Sequence, residues 1–443
     1  MKIQLSDHFT YKKLFRFTLP SIVMMVFSSI YGVVDGFFVS NFVGKAAFTA
    51  VNFIMPFLMI LGAVGFMFGT GGGALIAKTL GEKDPEKANS LFSLFVYVSA
   101  IVGAVLTLLG LAILRPVARW LGAEGVLLEN CVIYGRIILF GLIAFMLQME
   151  FQSFFVTAEK PQLGLIFTVA SGVTNMILDA LFVAVFKWGI VGAAVATVCS
   201  QCVGGLAPIV YFFCKNSSLL RLGKTKLDGK ALWKACTNGS SELMANVSMS
   251  LVGMLYNVQL MRYAGEDGVA AYGVLMYVTM IFLAVFIGYA VGTAPVIGYH
   301  FGAQNHEELR SLLRKSLIII GGFSVAMVAL AFLLASPLSK LFVGYDEALF
   351  ALTKRAFYIY SFSFLFAGIA IYGSSFFTAL SNGLISALIS FLRTLVFQVA
   401  AVLIFPIIWK GVNGIWVSIV AAEAMAAVVT VLFLILQRKR YHY

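Results

Sequence analysis

The sequence predicts an all-α integral membrane protein, and three observations indicate this fold class. First, 61% of the residues are hydrophobic and 11% are charged, whereas soluble domains carry about 25% charged residues. Second, the chain contains about twelve apolar runs, each long enough to cross roughly 30 Å of hydrocarbon as a helix. Third, a segment of the first half recurs in the second half. We therefore expect two pseudo-symmetric lobes of six transmembrane helices each.

The predicted helices follow one another with short connections, apart from one longer polar stretch. In the first half they lie near 14–39, 46–77, 91–114, 131–157, 162–186 and 189–214. In the second half they lie near 236–261, 269–299, 315–335, 354–378, 384–408 and 411–436. These limits divide the chain into an N-lobe, 1–214, a cytoplasmic connector, 215–235, and a C-lobe, 236–443.

The internal repeat relates the two halves at an offset of 221 residues, so that segment 44–91 aligns with 265–312 without a gap. The strongest shared feature is the end of a long apolar helix followed by a short polar linker. The linker reads LGEKDPEKANSLF in the first copy and FGAQNHEELRSLL in the second. Because an even number of helices makes both copies face the same way, we expect an axis along the membrane normal and a cavity between the lobes.

The distribution of basic residues predicts the orientation. With both termini inside, the inner segments hold about twice as many lysines and arginines as the outer loops, as the positive-inside rule requires. We therefore expect a multi-pass protein of the plasma membrane with both termini in the cytoplasm. The net charge of +12 does not indicate nucleic-acid binding, because the basic residues fall in loops between spans. Nucleotide-binding, HExxH and GxSxG motifs are absent from the sequence, so we predict neither ATP-driven transport nor an enzyme.

The most informative stretch is 171–198, which reads as two apolar helices joined by a tight turn. Asn175 and Asp179 are four residues apart and share one helix face. Thr197, on the second helix, is as far from the turn as Asp179. Asp35, in the first predicted helix, lies at about the same depth. An ionisable residue inside a membrane is costly and therefore indicates a functional site; the alternative is a structural Asp–Asn hydrogen bond that locks the helices.

This set of side chains suits a proton or a sodium ion. Two carboxylates near each other at low dielectric constant cannot both stay ionised at little cost, so Asp35 and Asp179 could take up and release a proton. With the amide of Asn175 and the hydroxyl of Thr197 they could instead hold a desolvated Na⁺, since hard cations prefer oxygen ligands. The sequence leaves both ions open, and we expect no other cofactor.

Other residues in the predicted spans are weaker candidates. Glu150 and Glu242 could face a substrate cavity, or they could bond neighbouring helices or border the connector. Pro20 frees a backbone carbonyl in the first helix and permits a kink, which is either a static bend or a hinge. Glu423 reads as structural, and Arg393 needs a partner that cannot be assigned from the sequence.

Four methionines occupy equivalent positions in the two copies of the repeat: Met55 and Met59 in the first, Met276 and Met280 in the second. Their helical spacing is compatible with an adaptable apolar pocket for substrates. Packing in the core is the alternative.

The chain resembles the multidrug and toxic compound extrusion (MATE) transporters over nearly its whole length. The most specific feature is Asn175 and Asp179 followed by WGIVGAAVAT. The family also places a proline fifteen residues before an aspartate in the first helix, as in Pro20 and Asp35 here. The stretch GVNGIWVSIVAAE looks like the family's last helix. The resemblance implies two six-helix lobes around a V-shaped cavity and export of organic cations in exchange for H⁺ or Na⁺.

The resemblance also implies which residues couple the ion. The N-lobe ion site of family members uses the residues that match Asp35, Asn175, Asp179 and Thr197. Some relatives use a glutamate in the seventh helix, which Glu242 matches, and an aspartate in the tenth, which has no counterpart here. We therefore predict a monomeric antiporter that couples through its N-lobe, with small organic cations and membrane lipids as partners and no nucleic acid. The alternative is a lipid or lipid-linked saccharide flippase of the same superfamily.

Overall fold

The computed structural model describes residues 3–344, 346–409 and 411–443, and this part of the chain is helical without any strand. In the first half the helices are α1 Tyr11–Phe38, α2 Lys45–Gly81, α3 Pro85–Trp120, α4 Gly125–Phe140, α5 Leu142–Thr157, α6 Pro161–Asp179, α7 Gly189–Gly205 and α8 Ala207–Phe213. In the second half they are α9 Gly229–Gly302, α10 His306–Val343, α11 Glu347–Ser361, α12 Phe364–Ala379, α13 Gly383–Phe391, α14 Phe397–Ile408 and α15 Val412–Tyr441. Short π-helical segments continue α1, α6 and α13, at Val39–Val43, Ala180–Val185 and Leu392–Val396.

Most of these helices are long and apolar enough to cross a membrane. In the described part of the chain, 9 helical segments pass this test singly. Two bent pairs pass it jointly: α4 with α5, bent by 58°, and α11 with α12, bent by 49°. The 74-residue α9 would be about 110 Å long if straight, which is far more than one crossing needs.

The helix α9 reverses direction at Gly265, where the backbone is non-helical with φ 61° and ψ −153°. Its start packs on Gly71 of α2, where a Cβ would lie 2.0 Å from the carbonyl oxygen of Ala235. Its end packs on Gly81 of α2, where a Cβ would lie 2.0 Å from the carbonyl oxygen of Tyr299. Gly71 and Gly81 are only about 15 Å apart along α2. The two ends of α9 therefore lie close to each other, so α9 must fold back at Gly265 into two antiparallel spans. Over the described residues the spans therefore number twelve, as predicted.

Glycine contacts in the structure reproduce the repeat seen in the sequence. A Cβ on Gly81 would lie 2.0 Å from the carbonyl oxygen of Tyr299, and a Cβ on Gly302 would lie 2.0 Å from that of Lys78. Gly81 matches Gly302 in the repeat, and Lys78 matches Tyr299. The two contacts therefore exchange under an approximate two-fold axis between α2 and the second span of α9.

The molecule has one large apolar core formed by both halves of the chain and two smaller cores, each formed by one half alone. The large core lies at the end of the molecule that carries both termini and includes Phe9 from the first half and Phe376 from the second. The core around Tyr134 contains residues of the first half alone, and the core around Trp416 contains residues of the second half alone. The lobes thus share a core at this end, which we call the closed end, and have separate cores towards the opposite, open end.

Several glycines near the open end pack against no neighbouring helix. A Cβ on Gly32 of α1, or on Gly253 or Gly273 of α9, would meet no atom within 4 Å. Among the described residues, the inter-lobe hydrogen bond nearest the open end runs from Ser29 Oγ to the carbonyl oxygen of Met280, at 3.4 Å. Beyond this point the lobes diverge.

The connector between the lobes is shorter than the sequence suggested. Its irregular part follows the start of α3, where the backbone N–H of Gly223 donates to Ser93 Oγ at 3.0 Å. Helix α9 then begins at Gly229, with the Asp228 side chain accepting hydrogen bonds at its N-terminus. The last residues of the predicted connector are therefore the first two turns of the seventh span.

Candidate ion-binding site

Three helices bring the four predicted ion-binding residues together in the first lobe. Asp35 comes from α1, Asn175 and Asp179 from α6, and Thr197 from α7. The carboxyl group of Asp35 lies next to the side chains of Asp179, Asn175 and Thr197. Asp179 is 0% exposed and Asn175 is 1% exposed. The sequence spacing thus identified a real cluster of side chains.

A glycine on α6 allows α1 to approach closely enough to form this cluster. A Cβ on Gly172 would lie 2.5 Å from the ring of Phe27 and 2.9 Å from the ring of Tyr31, both on α1. Gly172 shares a helix face with Asn175 and Asp179, because the three are spaced three and four residues apart. The close packing of α1 on this face therefore places Asp35 opposite the polar side chains of α6.

Four buried oxygen atoms of the cluster have no hydrogen-bond donor among the described residues. They are Asp35 Oδ1, Asn175 Oδ1, Asp179 Oδ1 and Asp179 Oδ2. Buried polar groups in proteins are nearly always hydrogen-bonded, and an unpaired acceptor costs about 1–3 kcal/mol, more when it is charged. These four oxygen atoms are therefore acceptors with unused hydrogen-bonding capacity among the described residues.

The oxygen donors limit which ion fits. Two carboxyl groups, one amide and one hydroxyl provide only oxygen ligands, which suit Na⁺ and not the softer transition metals. Within the described ranges there is no group of three or more His, Cys, Asp or Glu side chains suited to a metal ion. By donor chemistry alone, the cluster fits a proton shared between the carboxyl groups or a hard cation bound by oxygen atoms.

A second layer of polar side chains surrounds the cluster, and the sequence did not reveal it. The hydroxyl of Tyr134 lies beside Thr197 and close to both carboxyl groups. Tyr31, one turn before Asp35, lies against Gln148. Gln148 Nε2 donates to Ser171 Oγ at 3.1 Å, and Ser171 Oγ donates to the carbonyl oxygen of Ser200 at 2.7 Å. Only the Tyr31–Asp35 spacing of four residues could have hinted at this layer.

Both acidic residues of the cluster lie beside π-helical turns. Asp179 is the last residue of α6, directly before the segment Ala180–Val185. Asp35 lies one turn before the segment Val39–Val43. These π-helical segments end the two helices that carry the carboxylates, at Val43 and Val185.

Glu150, predicted as a tentative substrate ligand, lies inside the first lobe and away from the cleft. Its side chain is 0% exposed, and neither carboxyl oxygen has a hydrogen-bond partner among the described residues. Its Cα would lie 2.9 Å from a Cβ on Gly69 of α2, and its carboxyl group is near Ser99. In this conformation a molecule in the cleft cannot reach Glu150.

The charged residues of the second lobe form a separate group. Arg393 Nε donates to Glu423 Oε2 at 2.8 Å, which supplies the partner that the sequence could not assign. Glu242, on the first span of α9, is half-buried and close enough to Arg393 to interact with its charge. The three residues lie well away from Asp35 and Asp179, in the other lobe.

The remaining candidates are the four methionines and Pro20, and they lie outside the two groups of charged residues. Met59 and Met280 are 43% and 51% exposed, whereas Met55 and Met276 are half-buried against the open-end core of their own lobe. Helix α1 continues through Pro20, and Pro20 lines a cavity of about 610 Å³ at the closed end. The structure thus leaves the roles of these residues as predictions.

Comparison with known proteins identifies the family. The family model described as MatE matches residues 20–181 and again residues 243–404, once in each lobe. The multidrug export protein MepA of Staphylococcus aureus is 25% identical over 437 residues, which cover 97% of this chain and 94% of that protein.

Solved structures share the fold over almost the whole chain. An outward-facing multidrug resistance MATE family transporter aligns with a TM-score of 0.93 at 24% identity, covering 98% of this chain and 97% of its own. A MOP superfamily transporter from Pyrococcus furiosus, described as having a binding pocket of reverse polarity, aligns with a TM-score of 0.91 at 25% identity, covering 98% of each chain. Because the family model matches well over half of its residues, the chain belongs to the MATE family of membrane transporters.

Proposed function

We propose that this protein exports organic cations by antiport with H⁺ or Na⁺, and that Asp35, Asn175, Asp179 and Thr197 bind the coupling ion. The observation that carries the proposal is the group of four buried oxygen atoms without donors. MepA, the relative from Staphylococcus aureus, is named a multidrug export protein, which supports export as the direction of transport.

Electrostatics gives the cluster its affinity for an ion. Two like charges about 4 Å apart repel each other by about 4 kcal/mol at an effective dielectric constant of about 20. Asp35 and Asp179 lie side by side, so they are stable together only when a proton or a cation offsets one of the charges. Ion binding therefore changes the hydrogen bonds that the carboxyl groups of Asp35, on α1, and Asp179, on α6, can form.

The depth of the site suits ion entry from the open end. Asp35 is 24 residues beyond the start of α1 at Tyr11, which is about 36 Å along the helix. We place the open end outside the cell and the closed end, with both termini, in the cytoplasm of a plasma-membrane protein. An ion driven inwards then reaches the site from outside and reorganises the hydrogen bonds around α1, and we propose that α1 bends near Pro20 in response.

Substrate and ion must oppose each other for exchange to occur. When the ion binds, the affinity for the organic cation falls and the substrate leaves towards the outside. Reciprocity requires that bound substrate weaken ion binding by the same factor. The protein works as a monomer in this scheme, because each chain supplies both lobes and needs no cofactor other than the ion.

The proposal is tested by transport of an organic cation, such as tetramethylrhodamine methyl ester, in proteoliposomes. A pH gradient and a Na⁺ gradient are imposed separately on the wild type and on Asp179→Asn. We expect one gradient to drive transport in the wild type and neither to drive it in the folded variant. The exposed Asp267 provides a matched control, since Asp267→Asn makes the same chemical change away from the site and should transport normally.

Two outcomes would count against the proposal. Gradient-driven transport that persists in Asp179→Asn would remove this residue from the coupling site. No transport by the folded wild type under either gradient would favour the lipid or lipid-linked saccharide flippase. That alternative needs a cationic cleft for pyrophosphate, whereas Arg136 and Arg393 are the only arginines that lie in or beside the spans away from the loops.

A further inference from the structure

We infer that the cavity of about 610 Å³ at the closed end binds the phosphate headgroup of an anionic phospholipid, held by Arg16 and Lys160. This site is separate from the ion-binding cluster and goes beyond the proposed export function. The position of the cavity, the charge of its lining and the matching place in the second lobe support it.

The cavity lies near the membrane surface, in the gap between α1 and the start of α6. Arg16 follows the start of α1 at Tyr11 by about 7–8 Å along the helix, and Lys160 directly precedes α6. Both residues line the cavity. They are close to the ends of their spans, where a bilayer has its headgroups. A phospholipid of the leaflet at the closed end can therefore present its phosphate here.

The lining offers two cations to an anion. Arg16 is exposed and forms no ion pair with the described residues. Lys160 Nζ donates to Ser217 Oγ at 2.9 Å, and an ammonium group has three N–H donors. The acid among the described lining residues is Glu159, whose Oε1 accepts from the backbone N–H of Leu5 at 2.7 Å. The net charge of the lining is therefore positive, which suits a phosphate group.

Apolar residues lead from the cavity towards the bilayer. Leu163 and Ile166 of α6 line the cavity, and the side chain of Ile166 is exposed. Val173 and Ile177 are also exposed, and their spacing from Ile166 places them on the same helix face. An acyl chain can lie along this stripe while its headgroup occupies the cavity. A free phosphate would use the cavity alone.

The matching place in the second lobe is closed by direct contact between helices. The turns before α6 and α13 correspond, because each has a left-handed residue two positions before its helix, Glu159 with φ 59° and Ser381 with φ 57°. A Cβ on Gly383, at the start of α13, would lie 2.2 Å from the carbonyl oxygen of Thr237 on α9. The corresponding helices of the first lobe, α6 and α1, leave the cavity between them.

The two basic residues have uncharged counterparts in the second lobe. Thr237 matches Arg16 at the repeat offset of 221 residues. Asn382 takes the place of Lys160 in the turn, and its Nδ2 donates to the hydroxyl of Tyr441 at 2.9 Å. Both places lie at the closed end, so the positive-inside rule alone would not put the basic pair in one lobe. The cavity and its two cations occur together, as a ligand site requires.

Diffuse attraction between basic residues and the bilayer is the competing explanation. In that case any two exposed basic residues at the closed end would contribute equally to lipid affinity. A defined site predicts instead that Arg16 and Lys160 contribute more than an exposed pair elsewhere. Arg438 and Lys439, at the end of α15, are exposed and provide such a pair.

The test is binding of fluorescent phosphatidylglycerol to the purified protein in neutral detergent, measured by fluorescence anisotropy. Phosphatidylcholine with the same acyl chains is measured for comparison. The main variant is Arg16→Gln with Lys160→Gln, and the matched control is Arg438→Gln with Lys439→Gln, which removes the same charge. Arg16→Gln alone keeps the bond from Lys160 to Ser217 and serves if the double variant does not fold. Glycerol phosphate is added as a competitor, because it has a phosphate and no acyl chains.

A basic residue close to an anionic headgroup contributes about fivefold to affinity. We therefore expect phosphatidylglycerol to bind about 25-fold more weakly to the double variant and about fivefold more weakly to Arg16→Gln. Its affinity for the control variant should stay within about twofold of the wild type. Phosphatidylcholine should bind the wild type more weakly than phosphatidylglycerol and lose less in the double variant, because its choline group offsets the charge of its phosphate.

Three results would overturn the inference. An equal loss in the control variant would show diffuse attraction. Unchanged affinity for phosphatidylglycerol in both cavity variants would show that the lipid binds elsewhere. Displacement of the lipid by glycerol phosphate at a comparable concentration would assign the cavity to a soluble phosphate compound. Because none of these measurements depends on transport, failure of the export proposal would leave this test unaffected.

Discussion

Replacing Gly81 by alanine should weaken the closed end of the transporter. The new Cβ would lie 2.0 Å from the carbonyl oxygen of Tyr299, whereas ordinary contacts begin at 3.4 Å. A backbone carbonyl cannot rotate away as a side chain can, so α2 and the second span of α9 must separate by more than 1 Å locally. Overpacking of this kind costs about 1–3 kcal/mol.

This cost falls on the state in which the lobes meet at the closed end. If the lobes part at this end during transport, the substitution favours the parted state by the same free energy. A shift of about 1–3 kcal/mol changes the ratio of the two states by about 5- to 150-fold. Gly302→Ala should act alike, because Gly302 makes the matching contact with Lys78. Both substitutions force apart the same contact between α2 and the second span of α9, so their combined effect on the ratio of the two states should be less than additive.

Distances between spin labels test this shift. Labels on Glu86 and Glu307, which are exposed and occupy equivalent positions in the repeat, report the separation of the lobes once the five native cysteines are replaced. Gly81→Ala should increase the population at longer distances. Gly273→Ala is the matched control, because a Cβ there meets no atom within 4 Å. An unchanged distance distribution in folded Gly81→Ala would refute the reasoning.

Two further changes have defined outcomes. Gly65→Ala places a Cβ 2.3 Å from the carbonyl oxygen of Met146 within the first lobe, so it should lower the melting temperature without changing the distance between lobes; an altered distance with normal stability would contradict this. Glu308→Ala removes the acceptor for the backbone N–H of Phe9, at 2.9 Å, and for His8 Nδ1, at 2.6 Å. Each lost bond to the buried acid costs about 1–3 kcal/mol, so amide hydrogen exchange in residues 3–9 should become at least tenfold faster, and an unchanged rate would show that other contacts hold this segment.

Hydropathy and spacing predicted the spans because each crossing needs a long apolar run, and the chain supplies these runs with little interruption. They also located the break in α9, since the predicted spans 236–261 and 269–299 end on either side of Gly265. They placed the start of α9 too late, because the polar residues after Gly229 lie at the end of the molecule and do not need apolar surroundings. Propensity and the Asp228 cap start the helix there.

The candidate site was predictable where its residues are linked by spacing along one helix or across one tight turn. Asn175, Asp179 and Thr197 meet both conditions. The contact of Gln148 with Ser171 depends on how α5 and α6 are rotated about their axes, which hydropathy does not specify. The same is true of Glu150, whose apolar neighbours predict a span without saying which way its side chain points.

The ion pair of Arg393 and Glu423 illustrates this limit in the second lobe. The two residues are 30 positions apart on different helices, with α14 between them. The sequence shows that each charge needs a partner, and only the packing of α15 against the π-helical segment shows that they partner each other.

The central claim is that the ion and the substrate oppose each other through the cluster of Asp35 and Asp179. Equilibrium binding of tetramethylrhodamine methyl ester to the purified protein, measured across a range of pH and of Na⁺ concentration, tests it most directly. In the wild type we predict that affinity falls as the coupling ion saturates its site, and that Asp267→Asn behaves identically. In Asp35→Asn the affinity should no longer respond to that ion. The same ion dependence in the wild type and in folded Asp35→Asn would contradict the account.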